Sequence, residues 1–133
     1  MRHSAWSWEM PPRVHTRPPG STSVTPPNAR RGDVFLVPLD PTRGAEIRKT
    51  RPCVVVSPDE LNEHLPTVLV APLTSSARTR FCRVPCRFRG RSGHVVLDQI
   101  RTVDRARLLR RLGRLSAPTI ARSLAVLQEM FAP

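Results

Sequence analysis

The sequence predicts a mainly β domain with some α (α+β): a small antiparallel β-barrel, or highly curved antiparallel sheet, with one C-terminal helix. Three observations point there. Short runs rich in β-formers recur between turn residues from Asp33 to Leu115. Only one segment, after Ser116, keeps helical spacing for several turns, with Ile120, Leu124, Leu127 and Phe131 on one stripe. The chain has 133 residues, which fits one domain able to bury its own core.

The elements follow in order. Residues 1–29 read as a Pro-rich extension, because Pro11-Pro12, Pro18-Pro19-Gly20 and Pro26-Pro27 remove backbone donors and block helix formation. Residues 30–133 form the expected domain. Asp33 to Asp40 is a first strand, with Pro38 suggesting an edge or a bulge. Pro41-Thr42-Arg43-Gly44 opens a polar loop. Pro52 to Val56 is a short, wholly apolar strand, and Ser57-Pro58 starts a helical turn that runs through Leu65. Thr67–Pro72, Phe81–Phe88 and His94–Ile100 are three more strands, with Gly90 and Gly93 making the turn before the last. Val103–Leu109 reads as a short helix and Leu112–Leu115 as extended chain. Ser116 caps the terminal helix, and Pro118 sits early in it.

Composition narrows the function classes. Twenty-two Lys and Arg against ten Asp and Glu give a formal charge of +12, and Lys49 is the only Lys. Arg2, Arg13 and Arg17 against Glu9 leave +2 on the extension and +10 on the domain. Such a surplus suits a polyanion such as RNA or DNA, or an acidic protein. The longest apolar runs, such as Cys53–Val56, fall far short of the roughly 18 residues needed to cross a bilayer. The leader has no apolar core of a secretory signal. Three cysteines, Cys53, Cys82 and Cys86, argue against a disulfide framework and fit core thiols in a reducing cytoplasm. No spacing of Cys, His or carboxylates suggests a metal site, and no cofactor is implied.

Three segments could carry chemistry. In Gly44 to Pro52, Arg48, Lys49 and Arg51 crowd beside Glu46 and run straight into a buried strand. They read either as a phosphate clamp or as a solvated loop with an Arg–Glu pair. In Ala71–Ser76, an apolar strand ends in Thr74-Ser75-Ser76, whose hydroxyls can donate to a phosphate or simply satisfy a turn. In Leu97–Asp104, Asp98, Arg101 and Asp104 can form a charge network, Gln99 can read a base edge, and Asp104 is better placed as a cap. The four histidines have no sequence context linking them. None of His3, His15, His64 and His94 is put forward for acid–base work.

In this order and spacing the segments resemble the MazF/PemK family of toxin endoribonucleases. The resemblance starts at Arg31-Gly32-Asp33-Val34 and runs through Leu39–Glu46, Lys49-Thr50-Arg51-Pro52 and Val54–Pro58. It continues through Ala71-Pro72-Leu73-Thr74-Ser75, Val96–Asp104 and Leu112-Gly113-Arg114-Leu115. It implies an SH3-like barrel of the CcdB/MazF type, a homodimer and a cytoplasmic toxin. Such a toxin cuts single-stranded RNA without metal, and a cognate antitoxin protein blocks it. It also implies the site: Arg51 and Thr74 as essential residues, with Glu46 matching a loop acid. Arg48, Lys49, Arg78, Arg80, Gln99 and Arg101 are then candidate RNA contacts. The competing expectations are a non-catalytic CcdB-like barrel that poisons gyrase and a degenerate member that only binds antitoxin.

Overall fold

The computed structural model describes residues 28–40, 43–47, 49–75 and 80–133. The described chain folds in the order β1 (Asp33–Pro38), β2 (Thr50–Val55), α1 (Asp59–His64), β3 (Thr67–Thr74), β4 (Arg83–Phe88), β5 (Arg91–Val96), β6 (Arg101–Asp104), β7 (Arg110–Arg114) and α2 (Ala117–Met130). Every strand pair is antiparallel. The sheet runs β4-β5-β3-β2-β1-β7, with β6 added to β3. This is the expected α+β half-barrel with a C-terminal helix.

The long strand β3 makes the sheet curl. On one edge it pairs with β2. On the other, its first half pairs with β6 and its end pairs with β5. Between those pairings the chain bulges away through a 3-10 turn at Leu97–Gln99. At the far side the β4–β5 hairpin meets β7. The Arg89 guanidinium donates to the Leu112 carbonyl at 3.2 and 2.8 Å. The hairpin turn is Arg89-Gly90, both at positive φ (54° and 77°), the geometry that suits the twist of two-residue hairpins. Phe88 packs on Gly113, where a Cβ would stand 3.3 Å from the ring.

Two cores lie on opposite faces of the sheet. One holds Val34, Leu36, Val54, Ala71, Leu73, Val84, Phe88, Val95, Leu97 and Leu112, with Val126 of α2 above it. The other holds Phe35, Val37, Leu39, Cys53, Val55, Val68, Val70, Val103 and Leu108. The alternation along β1 and β2 divides these residues by parity, as a pleated strand requires. The buried polar residues Ser57, Asn62 and Asp33 are satisfied. Ser57 donates to Asn62 at 2.6 Å, and Asn62 donates back to the Ser57 carbonyl at 3.0 Å. Buried Asp33 accepts from Arg111, Arg114 and the Arg30 amide. Part of the Arg surplus is therefore structural.

Several local expectations shift. Pro38 ends a central strand, beyond the β1–β7 pairing, so its missing N–H breaks no ladder; the bulge falls at Val34/Phe35 instead. β5 begins at Arg91, which puts Gly93 inside it rather than in the turn. Leu97–Gln99 is a 3-10 turn, not strand. The helix expected over Val103–Leu109 is instead the end of β6 followed by a 3-10 turn at Arg105–Arg107. Pairing of Val103 with Val68 outweighs the local helical pattern. Asp104 caps that 3-10 turn, accepting from the Ala106 amide at 2.8 Å. Ser116 caps α2 as expected. The α2 stripe is less buried than its spacing suggests: Ser123 and Val126 are buried, while Phe131 is 71% exposed.

Candidate active site

The candidate segments converge on the sheet face opposite α2. β2 and β3 pair as Cys53↔Pro72, Val54↔Ala71 and Val55↔Val70. Carried one like-facing pair further, the same register brings Arg51 opposite Thr74. Thr74 pairs on its other side with His94 of β5. Directly opposite residues in a sheet share a face. Arg51, Thr74 and His94 thus form a row across three strands, all partly exposed. Four residues back along β3, Val70 pairs with Arg101, so Arg101 lies on this face too.

The buried thiol of Cys53 reports the same grouping. Burial pushes it up to about 12, against the opposing pull of the Arg101 and Arg51 guanidiniums. Both cations are therefore close enough to act on one sulfur. A thiol held protonated in this way is no nucleophile.

A cleft of about 390 Å³ opens beside them, lined by Glu46, Asp98, Gln99, Ile100 and Arg101. Its walls come from two excursions of the chain. The bulge between β5 and β6 extrudes Asp98 and Gln99. The β1–β2 loop supplies Glu46, and the Gln99 side chain anchors that loop by accepting the Ile47 amide at 2.8 Å. Glu46 is exposed, and its carboxylate accepts the Arg43 amide at 2.7 Å. The loop re-enters β2 through Lys49, whose φ is 70°, the left-handed region. Its amide donates to Asp40 at 3.1 Å and its carbonyl accepts from Leu39.

The expected charge network forms with a different partner. Asp98 takes both ends of the Arg83 guanidinium at 3.1 Å each, and Cys82 adds a thiol contact at 3.4 Å. The bidentate Arg83 contact holds the Asp98 carboxyl below its ordinary 3.8. Gln99 serves the loop anchor. Arg80 is exposed and bridges to Arg83 at the entry to β4. Arg48 and Arg78 lie outside the described residues. Among the described residues, no group of three or more His, Cys, Asp or Glu is placed to hold a metal ion. No described helix is long and apolar enough to cross a membrane.

His94 stands in this row although no residue near it in sequence points to the site. It joins the row through its ladder pairing with Thr74, twenty residues away. Only the strand register could have found it.

Comparison with known proteins bears on this arrangement. Residues 30–131 match the family described as PemK-like, MazF-like toxin of type II toxin–antitoxin systems. The chain belongs to that family. Among solved structures, the fold is similar to MazF from Deinococcus radiodurans, with a TM-score of 0.67 and 27% identity over 76% of this chain and 94% of that one. A MazE–MazF structure from the same organism matches at 26% identity and a TM-score of 0.58, over 77% of this chain and 93% of that one. An endoribonuclease in complex with its cognate antitoxin, from a mycobacterial species, shares the fold at a TM-score of 0.67 and 24% identity. That match covers 78% of this chain and 96% of the other. In this PemK/MazF-like chain the row on the open face therefore belongs to a toxin fold.

Proposed function

We propose that this toxin is a sequence-specific endoribonuclease that cuts single-stranded RNA without a metal. The observation that carries the reading is the β2–β3 register, which, extended by one like-facing pair, sets Arg51 opposite Thr74 on the sheet face that also carries Arg101 of the cleft. The RNA supplies its own nucleophile. Its 2′-hydroxyl attacks the adjacent phosphorus, the bond to the 5′ oxygen breaks, and a 2′,3′-cyclic phosphate and a 5′-hydroxyl result. No metal-bound water is needed for that step.

Charge builds on the nonbridging oxygens during attack. A rigid guanidinium fork from Arg51 and a hydroxyl donor from Thr74 stabilise it. An Arg side chain is not deprotonated in proteins, so Arg51 acts as a clamp and not as a base. Glu46, exposed at the cleft wall, takes the 2′ proton. Lys49, Arg101 and Arg80 hold flanking phosphates together with Arg48 and Arg78, and Gln99 shapes the groove by fixing the loop. Residues 1–29 are an extension outside the toxin domain of 30–133. The toxin works in the cytoplasm as a homodimer, and the open apolar groove beside α2 supports pairing of two copies. A cognate antitoxin, attracted by the +12 charge, closes the RNA groove.

The test is incubation of the purified chain with a long RNA in EDTA, followed by sequencing of the new ends. Discrete cuts with 5′-hydroxyl ends are expected. Intact RNA together with inhibited gyrase would overturn the nuclease reading in favour of a protein-binding poison.

A further inference from the structure

We propose that His94 is the proton donor to the leaving 5′ oxygen in that cleavage. The assignment rests on the nuclease reading above and adds a residue to it.

The argument starts from position. His94 pairs with Thr74 in the β3–β5 ladder, and Thr74 faces Arg51 across β2. A phosphate held by Arg51 and Thr74 therefore lies within reach of the His94 ring, since side chains of directly opposed residues start about 5 Å apart at Cβ. Glu46 lines a cleft with Asp98, Gln99 and Arg101, its loop fixed there by Gln99, and Arg101 shares the sheet face of the row. In-line displacement needs its proton acceptor and proton donor on opposite sides of phosphorus. In the proposed arrangement Glu46 approaches from the loop and His94 from β5.

Chemistry then selects the residue. The row offers a guanidinium, a hydroxyl and an imidazole. A guanidinium does not release its proton in proteins, and an alcohol is a poor acid. Imidazole is the side chain that gives and takes protons near neutral pH. His94 Nδ1 is buried, so exchange with a bound chain falls to Nε2. The polar groups that share the face of the ring come from four strands. They are Arg51 from β2, Thr74 from β3, Arg83 and Arg87 flanking Pro85 on β4, and Ser92 on β5 itself. Of these, Arg83 is held by Asp98 and Arg87 donates to Ser92.

The step balances. The 2′ oxygen bonds to phosphorus as the bond between phosphorus and the 5′ oxygen breaks. The electron pair of the broken bond stays on the 5′ oxygen, which takes the Nε2 proton. The 2′ proton goes to Glu46, and exchange through water returns it to His94.

The experiment uses the full chain and a short RNA spanning a mapped cut site, made in two forms. One has the ordinary 5′ oxygen at the scissile bond. The other has sulfur there, a leaving group that departs without a proton. Single-turnover rates are measured across pH for the wild type, His94→Gln and His94→Asn. With oxygen, H94Q is expected to cut about 100-fold slower than wild type, with unchanged RNA binding and loss of the alkaline limb of the pH profile. With sulfur, the variant returns to near the wild-type rate. Equal deficits on both substrates, or no deficit on oxygen, would overturn the assignment. Where a variant does not fold, the wild type decides: its alkaline limb must vanish on the sulfur substrate, and its persistence there overturns the proposal. A wild type that leaves both RNAs intact instead defeats the nuclease reading itself.

Discussion

The two faces of the sheet use the same strands for different ends. On the helix face, Leu36, Val54, Leu73, Val95 and Phe88 are fully covered by side chains of other elements. On the opposite face, Phe35, Cys53, Val55 and Val70 make a smaller core that stops short of the strand ends. Past its edge, the next inward-facing positions are Arg51, Thr74, His94 and Arg101. A polar group at these positions escapes the desolvation cost it would meet one pair further in. Stability should therefore reside on one face and chemistry at the margin of the other.

Substitutions can break or sharpen that division. The largest effect is expected from Arg51→Ala, which should slow RNA cleavage by about 1,000-fold or more while leaving the melting temperature nearly unchanged. Gel assays beside a thermal melt check both halves. Phe88→Ala works the other way. It empties the contact with Gly113 and should cost about 3–5 kcal/mol in urea unfolding, with normal cleavage per folded molecule.

A smaller effect joins the two regions at the loop. Lys49→Gly relieves a left-handed residue and should raise stability by about 1 kcal/mol. It also removes a cation, so RNA binding should weaken and its salt dependence should flatten. The smallest effect concerns Asp98→Asn, which should cost under about 1 kcal/mol at neutral pH because the pair is partly solvated. Arg83 lowers the folded-state value of Asp98, so its contribution is present above the ordinary carboxylate value of 3.8. That contribution fades as pH falls through the lowered folded value. Unfolding curves of wild type and variant should converge in acid, and a gap that persists there would contradict the pairing.

The outcome of each element has a local cause. β1, β2 and β3 were legible because unbroken runs such as Val54-Val55 and Val68–Ala71 have only one way to bury themselves. α2 was legible from Ser116, Pro118 and a 3.6-residue repeat. β6 was misread because Val103–Leu109 is short, and a local helical pattern says nothing about the edge of β3 that Val103 completes. Phe131 was misplaced because helical spacing defines a face but not how far a neighbour extends to cover it.

The site divides in the same way. Arg51, Thr74 and Glu46 were put forward on the family resemblance of motifs that each lie within a single segment. Asp98 was found, but with the wrong partner: Arg83 lies fifteen residues earlier and meets it only because β4 pairs with β5. His94 carried no local mark at all.

The sequence by itself determined the central strands β1, β2 and β3, where the last helix starts, and a charge surplus that suits a polyanion or an acidic partner. Those features follow from periodicity, capping and net charge, which neighbours in the chain decide. The tertiary structure alone decided which side chains share a face. Strand register, and the bulge that throws Asp98 and Gln99 out of the sheet, arise from the joint burial of two cores. No single segment contains the information needed to set them.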